Sequence, residues 1–218
     1  MKIRRLLGVL CSIPKTVVFN FHALPPRHAV RLPCLVHWRT RIVACSRGSV
    51  LLGEDCRFAQ VRVGFPHMTY PAKASSLKLT GSVKFVGECS LLAGIDLNVT
   101  GELVVGRHFA CNEGVKIDCK NRSFFGDDVI VGHNCYFSDD DGHTICDAEG
   151  AIVNPSSGFW IGDHVWFGRG CLTLKGVKVG PDVVVGAGSI LTRSVAETDV
   201  VIAGNPAAVV KRGVVWHV

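Results

Sequence analysis

The sequence predicts an all-β solenoid, a stack of three-sided turns, and three observations support this prediction. First, an aliphatic residue, usually followed by glycine, returns every six residues from Ile161 onward. Second, the fifth position of each of these hexapeptides holds a small or β-branched residue, as at Val165 and Cys171. Third, 24 glycines and only 8% aromatic residues suit a turn-rich β structure better than a helical bundle. The leading positions are Ile161, Phe167, Thr173, Val179, Val185 and Leu191.

A period of six matches neither an α-helix nor a simple strand. An amphipathic helix would repeat near 3.6 residues, and a half-buried strand would alternate every two. A short strand, a corner and another short strand account for the period, and three such units complete one turn. Successive turns would stack about 4.8 Å apart and complete each other's backbone hydrogen bonds. The inward aliphatic column then forms the core.

The same period continues upstream with less regularity. The hexapeptide VGRHFA begins at Val105, CNEGVK at Cys111 and FGDDVI at Phe125, and a two-residue slip at Ser123-Phe124 separates the last from the first two. Before Val105 only LGEDCR at Leu52 and VGECSL at Val86 fit. The sequence therefore predicts a basic N-terminal extension over 1–50, the solenoid over 51–204 and a C-terminal cap over 205–218. Within the cap, we expect Ala207–Arg212 to form a short helix or an extended arm.

Length, charge and cysteine content limit the class of protein. A chain of 218 residues with 48% hydrophobic and 19% charged residues is too apolar for a disordered protein. The net charge of +6 originates in residues 1–53, which contain nine Lys or Arg and no Asp or Glu. This segment predicts peripheral contact with a membrane or an acidic glycan, with a solvated surface or an oligomer contact as alternatives. No nucleic-acid partner is expected.

Two further features predict a cytoplasmic protein. The apolar stretch 6–10 is short and is followed by Pro14 and Lys15, which predicts neither a membrane span nor a signal peptide. The ten cysteines include no CxxC pair, so we expect buried packing thiols rather than disulfides.

The repeat is interrupted between Phe137 and Trp160. The inward positions there would be His143, Glu149 and Pro155, none of which suits an apolar column. We therefore predict a loop over 138–159 that leaves the solenoid, and long loops on rigid scaffolds commonly carry function.

The chain resembles the hexapeptide-repeat acyltransferases. The resemblance rests on WIGDHVWFGRG, LKGVKVG, VVGAGSILTRSV and IAGNPAAVVKR in the C-terminal part. The segments FNFHALPPRHAVRLPCLV and FSDDDGH are similar to the branch that acetylates capsule and lipopolysaccharide glycans. The resemblance implies a left-handed parallel β-helix, a homotrimer, and acetyl transfer from acetyl-CoA to a sugar hydroxyl. Acetylation of an amino sugar and a non-enzymatic scaffold remain the alternatives.

His143 is the candidate general base, because a neutral imidazole can take a proton from a hydroxyl near pH 7. Asp139 and Asp141 match the family's Asp-x-Asp-x-His run, and either could orient the ring. The alternative is a solvated acidic turn. The run lacks the spacing of a calcium loop, and no histidine pair has the spacing of the family's zinc branch, so no metal is expected.

The resemblance assigns Trp166 to the acetyl group, which it would either stabilise as an oxyanion donor or shield from water. The alternative is packing at a subunit contact. Direct transfer is expected, since Cys135 and Cys171 occupy inward positions and Cys146 has no activating neighbour in sequence.

The resemblance also implies a coenzyme A groove between neighbouring subunits. Its main-chain and small-residue candidates are Gly168, Gly186, Ala187, Gly188 and Ser189, and its basic candidates for the phosphates are Lys175, Arg193, Lys211 and Arg212.

Overall fold

Three sheets, which the chain visits in rotation as far as Leu191, make up the protein in a computed structural model that describes residues 2–53, 55–66 and 73–217. Two helices precede them, α1 (Lys2–Ala23) and α2 (Pro26–Ala29). The first sheet contains β1 (Cys34–Val36), β4 (Val61–Phe65), β7 (Cys89–Leu92), β10 (Phe109–Cys111), β13 (Ile130–Val131), β16 (Trp166–Phe167), β19 (Val183–Val185), β21 (Val200–Gly204) and β22 (Ala207–Arg212).

The second sheet contains β2 (Arg41–Cys45), β5 (Ser76–Leu79), β8 (Asp96–Val99), β11 (Lys116–Cys119), β14 (Tyr136–Ser138), β17 (Leu172–Thr173) and β20 (Ile190–Leu191). The third contains β3 (Val50–Leu52), β6 (Ser82–Phe85), β9 (Glu102–Val105), β12 (Arg122–Phe125), β15 (Trp160–Ile161) and β18 (Lys178–Val179). Each strand from β1 to β21 pairs in parallel with the strand one turn away. The predicted β-helix of stacked turns is therefore confirmed.

The inward side chains form one continuous core along the helix axis. Val, Ile, Leu, Phe and Cys supply most of the buried inward positions, and these alternate with more exposed outward positions along β8 through β12. At the level of the loop the core is aromatic. The rings of Phe125, Phe137 and Phe159 are fully buried and lie with centroids 5.0–5.7 Å apart. Phe159 thus occupies the core position at which the loop rejoins the β-helix.

The turns have two lengths, and this explains the slip in the sequence. Ser76 pairs with Asp96 and Lys116 with Tyr136, so the early turns contain 20 residues. Trp160 pairs with Lys178, so the late turns contain 18. The two extra residues recur at one corner in successive early turns, at Gly81, Gly101 and Asn121. From Ser76 to Val105 the turns are thus as regular as the later ones, whereas the pairings of β4 and β2 shift register, which agrees with the looser pattern predicted there.

The β-helix begins earlier than predicted. β1, β2 and β3 pair with β4, β5 and β6, so the first turn lies inside the segment predicted as an extension over 1–50. This turn lacks the hexapeptide glycines, and the pairing of β2 shifts between Ile42 and Ala44, which hides the period. The extension is reduced to α1, α2 and the residues that join them to β1.

Both ends of the β-helix are covered. At the C-terminal end, Ala207–Arg212 forms an extended arm, which is one of the two predicted alternatives. It pairs antiparallel with β21. At the N-terminal end, Phe19 and Ala23 of α1 join the buried core. The segment Leu6–Ala23 has a mean hydropathy of 1.4 and could span a membrane by length and composition. The sequence analysis counted only the short stretch 6–10, whereas the helix continues through Pro14 and Lys15.

The cysteines follow the prediction of packing thiols. Seven are buried and three are not, and all ten are free. Six of the buried ones, all except Cys56, belong to the hydrophobic core of the β-helix.

Candidate active site

The site is built around the loop that leaves the β-helix between β14 and β15. Tyr136 pairs with Leu172, 36 residues later, so this turn is 18 residues longer than its successor. Residues 141–153 are exposed. The loop is nevertheless anchored to the β-helix at its two ends, and the anchors fix where His143 stands.

Asp139 forms the first anchor at the neck of the loop. Its buried carboxylate accepts hydrogen bonds from the main-chain N–H groups of Lys120 (2.7 Å) and Asn121 (2.9 Å), and from Ser123 Oγ (3.0 Å). Ser123 Oγ in turn accepts from the N–H of Phe159 (3.3 Å). One buried carboxylate therefore holds the long corner of the preceding turn and both ends of the loop.

This placement corrects the predicted role of Asp139 beside His143. Asp139 follows β14 and continues its alternation, so its side chain points inward while His143 lies on the exposed part of the loop. Its carboxylate is occupied by the three donors of the neck. We therefore describe Asp139 as a positioning residue of the loop.

Asn154 and Lys175 form the second anchor. The Asn154 amide Nδ2 donates to Asp141 Oδ2 (3.0 Å) and to the main-chain oxygen of His143 (2.8 Å). Its Oδ1 accepts from the N–H of Ile145 (2.6 Å). Lys175 Nζ donates to the main-chain oxygen of Asn154 (2.9 Å) and lies 2.5 Å from Asp141 Oδ2. The backbone of His143 is thus fixed on both sides.

The acidic run is largely a structural turn. Asp141 is bonded to Lys175 and Asn154, and the Lys175 ammonium holds the pKa of its carboxyl below the usual range. Asp140 is bonded to Lys120 Nζ (2.5 Å) and to the N–H of Gly142 (2.7 Å), and the Lys120 ammonium lowers its pKa as well. Across the described residues, no group of three or more His, Cys, Asp or Glu side chains is arranged to hold a metal ion.

The imidazole of His143 is exposed to solvent. Within the described part of the chain, its ring has no hydrogen bond or ion pair. Two histidines at the corners of the β-helix differ in this respect. His108 Nδ1 lies 2.9 Å from Asp128 and His164 Nδ1 lies 2.8 Å from Asp182 at the corners of the β-helix. A rigid backbone with an unengaged ring suits a group that must reach an external proton donor.

Trp166 lies on the outer face of β16, where its side chain is 43% exposed. The C-terminal tail approaches it, because the ring of Trp216 lies 6.1 Å from that of Trp166. Trp216 stacks on His164 at 4.2 Å and donates its Nε1–H to the main-chain oxygen of His164 (3.1 Å). Sequence reasoning missed Trp216, whose only signal was an aromatic residue after the last strand.

The predicted groove residues form one corner of successive late turns. A Cβ atom on Gly168 would lie 2.6 Å from the nitrogen of Ala187, so the corner requires this glycine. Ala187 and Gly188 are exposed and Gly186 is half-buried. Ser189 is different, since its buried hydroxyl donates to the Gly186 oxygen (2.6 Å) and accepts from the Gly204 N–H (3.2 Å). Its side chain is therefore used inside the fold.

The predicted phosphate partners divide into two groups. Arg193 and Lys211 are exposed. Arg212 is paired with Glu197 (2.8 Å), and Lys175 is held at the loop with only 21% of its side chain exposed. Lys175 thus anchors the loop in this structure, a role that its spacing in the sequence did not indicate.

Two cysteines lie buried below this corner. Cys135 and Cys171 direct their sulfurs toward the Gly168 oxygen at 3.0 and 3.2 Å. The hydrogen bond between the two thiols, together with burial, raises the pKa of Cys135, and the same hydrogen bond lowers the pKa of Cys171 to about 7.

Comparison with known proteins agrees with this description. Residues 160–193 match the model of the hexapeptide repeat of succinyl-transferase. The chain is 27% identical over 135 residues to YJL218W of Saccharomyces cerevisiae, which has a provisional assignment as an acetyltransferase, covering 52% of this chain and 64% of that protein. It is 28% identical over 144 residues to WbbJ of Escherichia coli, which is provisionally assigned to lipopolysaccharide O-acetylation. The match covers 61% of this chain and 72% of WbbJ.

Among solved structures, the polysialic acid-specific acetyltransferase NeuO superimposes with a TM-score of 0.56 at 22% identity, covering 85% of this chain and 71% of that chain. The likeness shows the fold, which is a left-handed parallel β-helix. The chain spans only about two thirds of the first of these sequence relatives.

Proposed function

We propose that this chain is a hexapeptide-repeat acyltransferase that transfers acetyl from acetyl-CoA to a hydroxyl of a sugar in a bacterial surface polysaccharide or its precursor. The observation that carries the proposal is the unengaged imidazole of His143, on a loop that is anchored at both ends. Similarity to WbbJ and the fold shared with NeuO support a glycan acceptor.

In the proposed reaction, His143 removes the proton of the acceptor hydroxyl as its oxygen attacks the thioester carbonyl. The tetrahedral intermediate carries a negative oxygen, which Trp166 or a main-chain N–H stabilises. The C–S bond then breaks, and the imidazolium of His143 gives its proton to the departing thiolate. The products are an acetyl ester and free coenzyme A.

The donor is proposed to lie along the late corner, where the exposed Ala187 and Gly188 permit close approach to the main chain. Arg193 and Lys211 are the exposed cations left for its phosphates, because Lys175 and Arg212 already have carboxylate partners. We place the reaction in the cytoplasm, where acetyl-CoA is available.

The acceptor is proposed to enter a cleft between subunits of a homotrimer. His143 would come from one subunit and part of the groove from its neighbour, as rotational symmetry allows. The basic N-terminal segment would meet an anionic partner.

An acetyl-CoA consumption assay with a panel of sugars and surface polysaccharides tests the proposal. We expect turnover with at least one hydroxylated acceptor and a product that mild alkali cleaves. An alkali-stable product would show amide formation and would contradict O-acetylation. Failure to bind acetyl-CoA at millimolar concentration would indicate a scaffold instead.

A further inference from the structure

Helix α1 closes the N-terminal end of the β-helix with polar side chains. Ser12, Thr16 and Asn20 are spaced four residues apart, so they lie on one face of the helix, and all three are buried. Asn20 donates to the Cys34 oxygen (2.7 Å) and accepts from the Cys34 N–H (3.0 Å). Thr16 Oγ1 accepts from the N–H of Val36 (3.0 Å). These bonds complete the free edge of β1, where a preceding strand would otherwise pair.

The polar contacts continue beyond the strand. Ser12 Oγ accepts from the Trp38 N–H (3.0 Å), and Lys15 Nζ donates to the oxygens of Trp38 (2.6 Å) and Thr40 (2.7 Å). The orientation of α1 about its own axis is therefore fixed, with its hydrogen-bonding face toward the β-helix.

The opposite face of α1 is apolar and exposed. At 100° per residue Leu7, Leu10, Val18 and Phe21 lie about 120° or more from Ser12 and Thr16, and Leu6 borders them. Each of the five has more than half of its surface accessible. This outer apolar face consists of Leu6, Leu7, Leu10, Val18 and Phe21. The usual arrangement of a surface helix is thus partly inverted, because Ser12, Thr16 and Asn20 are buried beside Phe19 and Ala23 while these apolar side chains face out.

The N-terminal part of the chain carries an excess of positive charge. The first 53 residues contain nine Lys or Arg and no carboxylate side chain. Arg39, Arg41 and Arg47 of the first turn are exposed. Trp38, which is also exposed, lies with the Arg39 guanidinium 6.0 Å from its ring centroid. Apolar surface flanked by Arg, Lys and Trp is the combination that binds the interface of an anionic bilayer.

We infer that the N-terminal end of the β-helix docks on an anionic lipid surface, with α1 lying in the plane of the membrane and its outer apolar face buried among the acyl chains. Spanning the bilayer would strip α1 from β1 and break the bonds of Ser12, Thr16 and Asn20. Docking on a second copy through the same face would bring two basic ends together without an acidic counterpart. An acidic glycan would neutralise the charge and leave the apolar side chains in water.

Vesicle flotation of the full chain tests this inference. We expect binding to phosphatidylcholine vesicles that contain about 30 mol% phosphatidylglycerol, weaker binding to phosphatidylcholine alone, and release as salt screens the charges. Leu10→Glu and Phe21→Glu should each lower the vesicle partition coefficient about tenfold or more, because each puts a charge into the face that would be buried in the membrane. Val215→Glu is the matched control, on the 73% exposed Val215 of the C-terminal tail, and should bind like the native chain.

Thermal unfolding and circular dichroism should be the same for all these proteins, and Leu10→Ser repeats the test without a new charge. Vesicle binding by the Leu10 and Phe21 variants that is as strong as that of the native chain would overturn the inference. So would self-association without vesicle binding, binding to anionic polysaccharide but not to vesicles, or protease protection on both sides of a bilayer. Vesicle binding does not depend on acetyl transfer, so loss of the proposed function would leave this result unchanged.

Discussion

At the scale of single residues, two side chains near each other in sequence have separate tasks. His143 presents an unengaged ring to solvent, whereas Asp139 is buried and accepts three hydrogen bonds at the loop neck. A carboxylate suits the neck because one group with two oxygens can accept from several donors at once. The chemistry of the loop thus depends on a residue that does not touch the proposed reactants.

Replacement of Asp139 by Asn tests this division of tasks. Asp139→Asn exchanges one acceptor oxygen for a donor, which leaves buried N–H groups of Lys120 or Asn121 unsatisfied. We expect the free energy of unfolding to fall by about 1–3 kcal/mol, measured by urea denaturation. Asp140→Asn is the control, because its carboxylate pairs at the surface with Lys120 and should contribute less than about 1 kcal/mol. Equal effects of the two variants would contradict the assignment.

At the scale of elements, ion pairs tie the loop to the β-helix. Lys175 and Lys120 hold the pKa values of Asp141 and Asp140 below the usual range. Unfolded or detached carboxyl groups therefore bind protons more readily than the anchored ones. The stabilisation from these pairs is present above about pH 4 and is lost as the pH falls through the lowered pKa values.

The loop should accordingly detach in acid before the β-helix unfolds. We expect limited proteolysis within residues 141–153 to accelerate as the pH falls below about 4, with circular dichroism unchanged. Asp141→Asn should show the faster cleavage already at neutral pH. Cleavage of the native chain that does not depend on pH would argue against these anchors.

The long corners of the early turns are a second element with a sharp steric requirement. A Cβ atom on Gly101 would overlap the carbonyl oxygen of Asn121 in the next turn. Gly101→Val should therefore destabilise the protein by about 1–3 kcal/mol, as overpacking against backbone does. Gly53→Ala should change the stability little, because nothing lies within 4 Å of a Cβ atom there. Comparison of the two thermal unfolding midpoints checks this prediction.

At the scale of the whole molecule, the sequence predicts the late turns well because each side of the prism has six residues and an inward aliphatic residue. It predicts the early turns poorly, since their two additional residues per turn shift the pattern out of phase. The loop was predictable from His143, Glu149 and Pro155 in core positions. The anchoring by Asn154 and Lys175 was not, because these contacts join residues that are distant in sequence and follow no period. The inverted face of α1 was hidden for a similar reason, as its polar residues have partners only in β1.

Assembly is the remaining prediction at this scale. With a chain mass of 23.5 kDa, we expect a particle of about 70 kDa by light scattering coupled to size exclusion. A monomer with full activity would contradict a site shared between subunits.

The most direct test of the central claim is the turnover number of His143→Ala in acetyl transfer from acetyl-CoA to the accepted sugar. Loss of a general base should lower kcat by about 10²–10⁴-fold with little change in the affinity for acetyl-CoA. His108→Ala, which removes a histidine paired at a corner, should leave kcat unchanged. A His143→Ala enzyme as fast as the native one would show that the imidazole takes no part in the reaction.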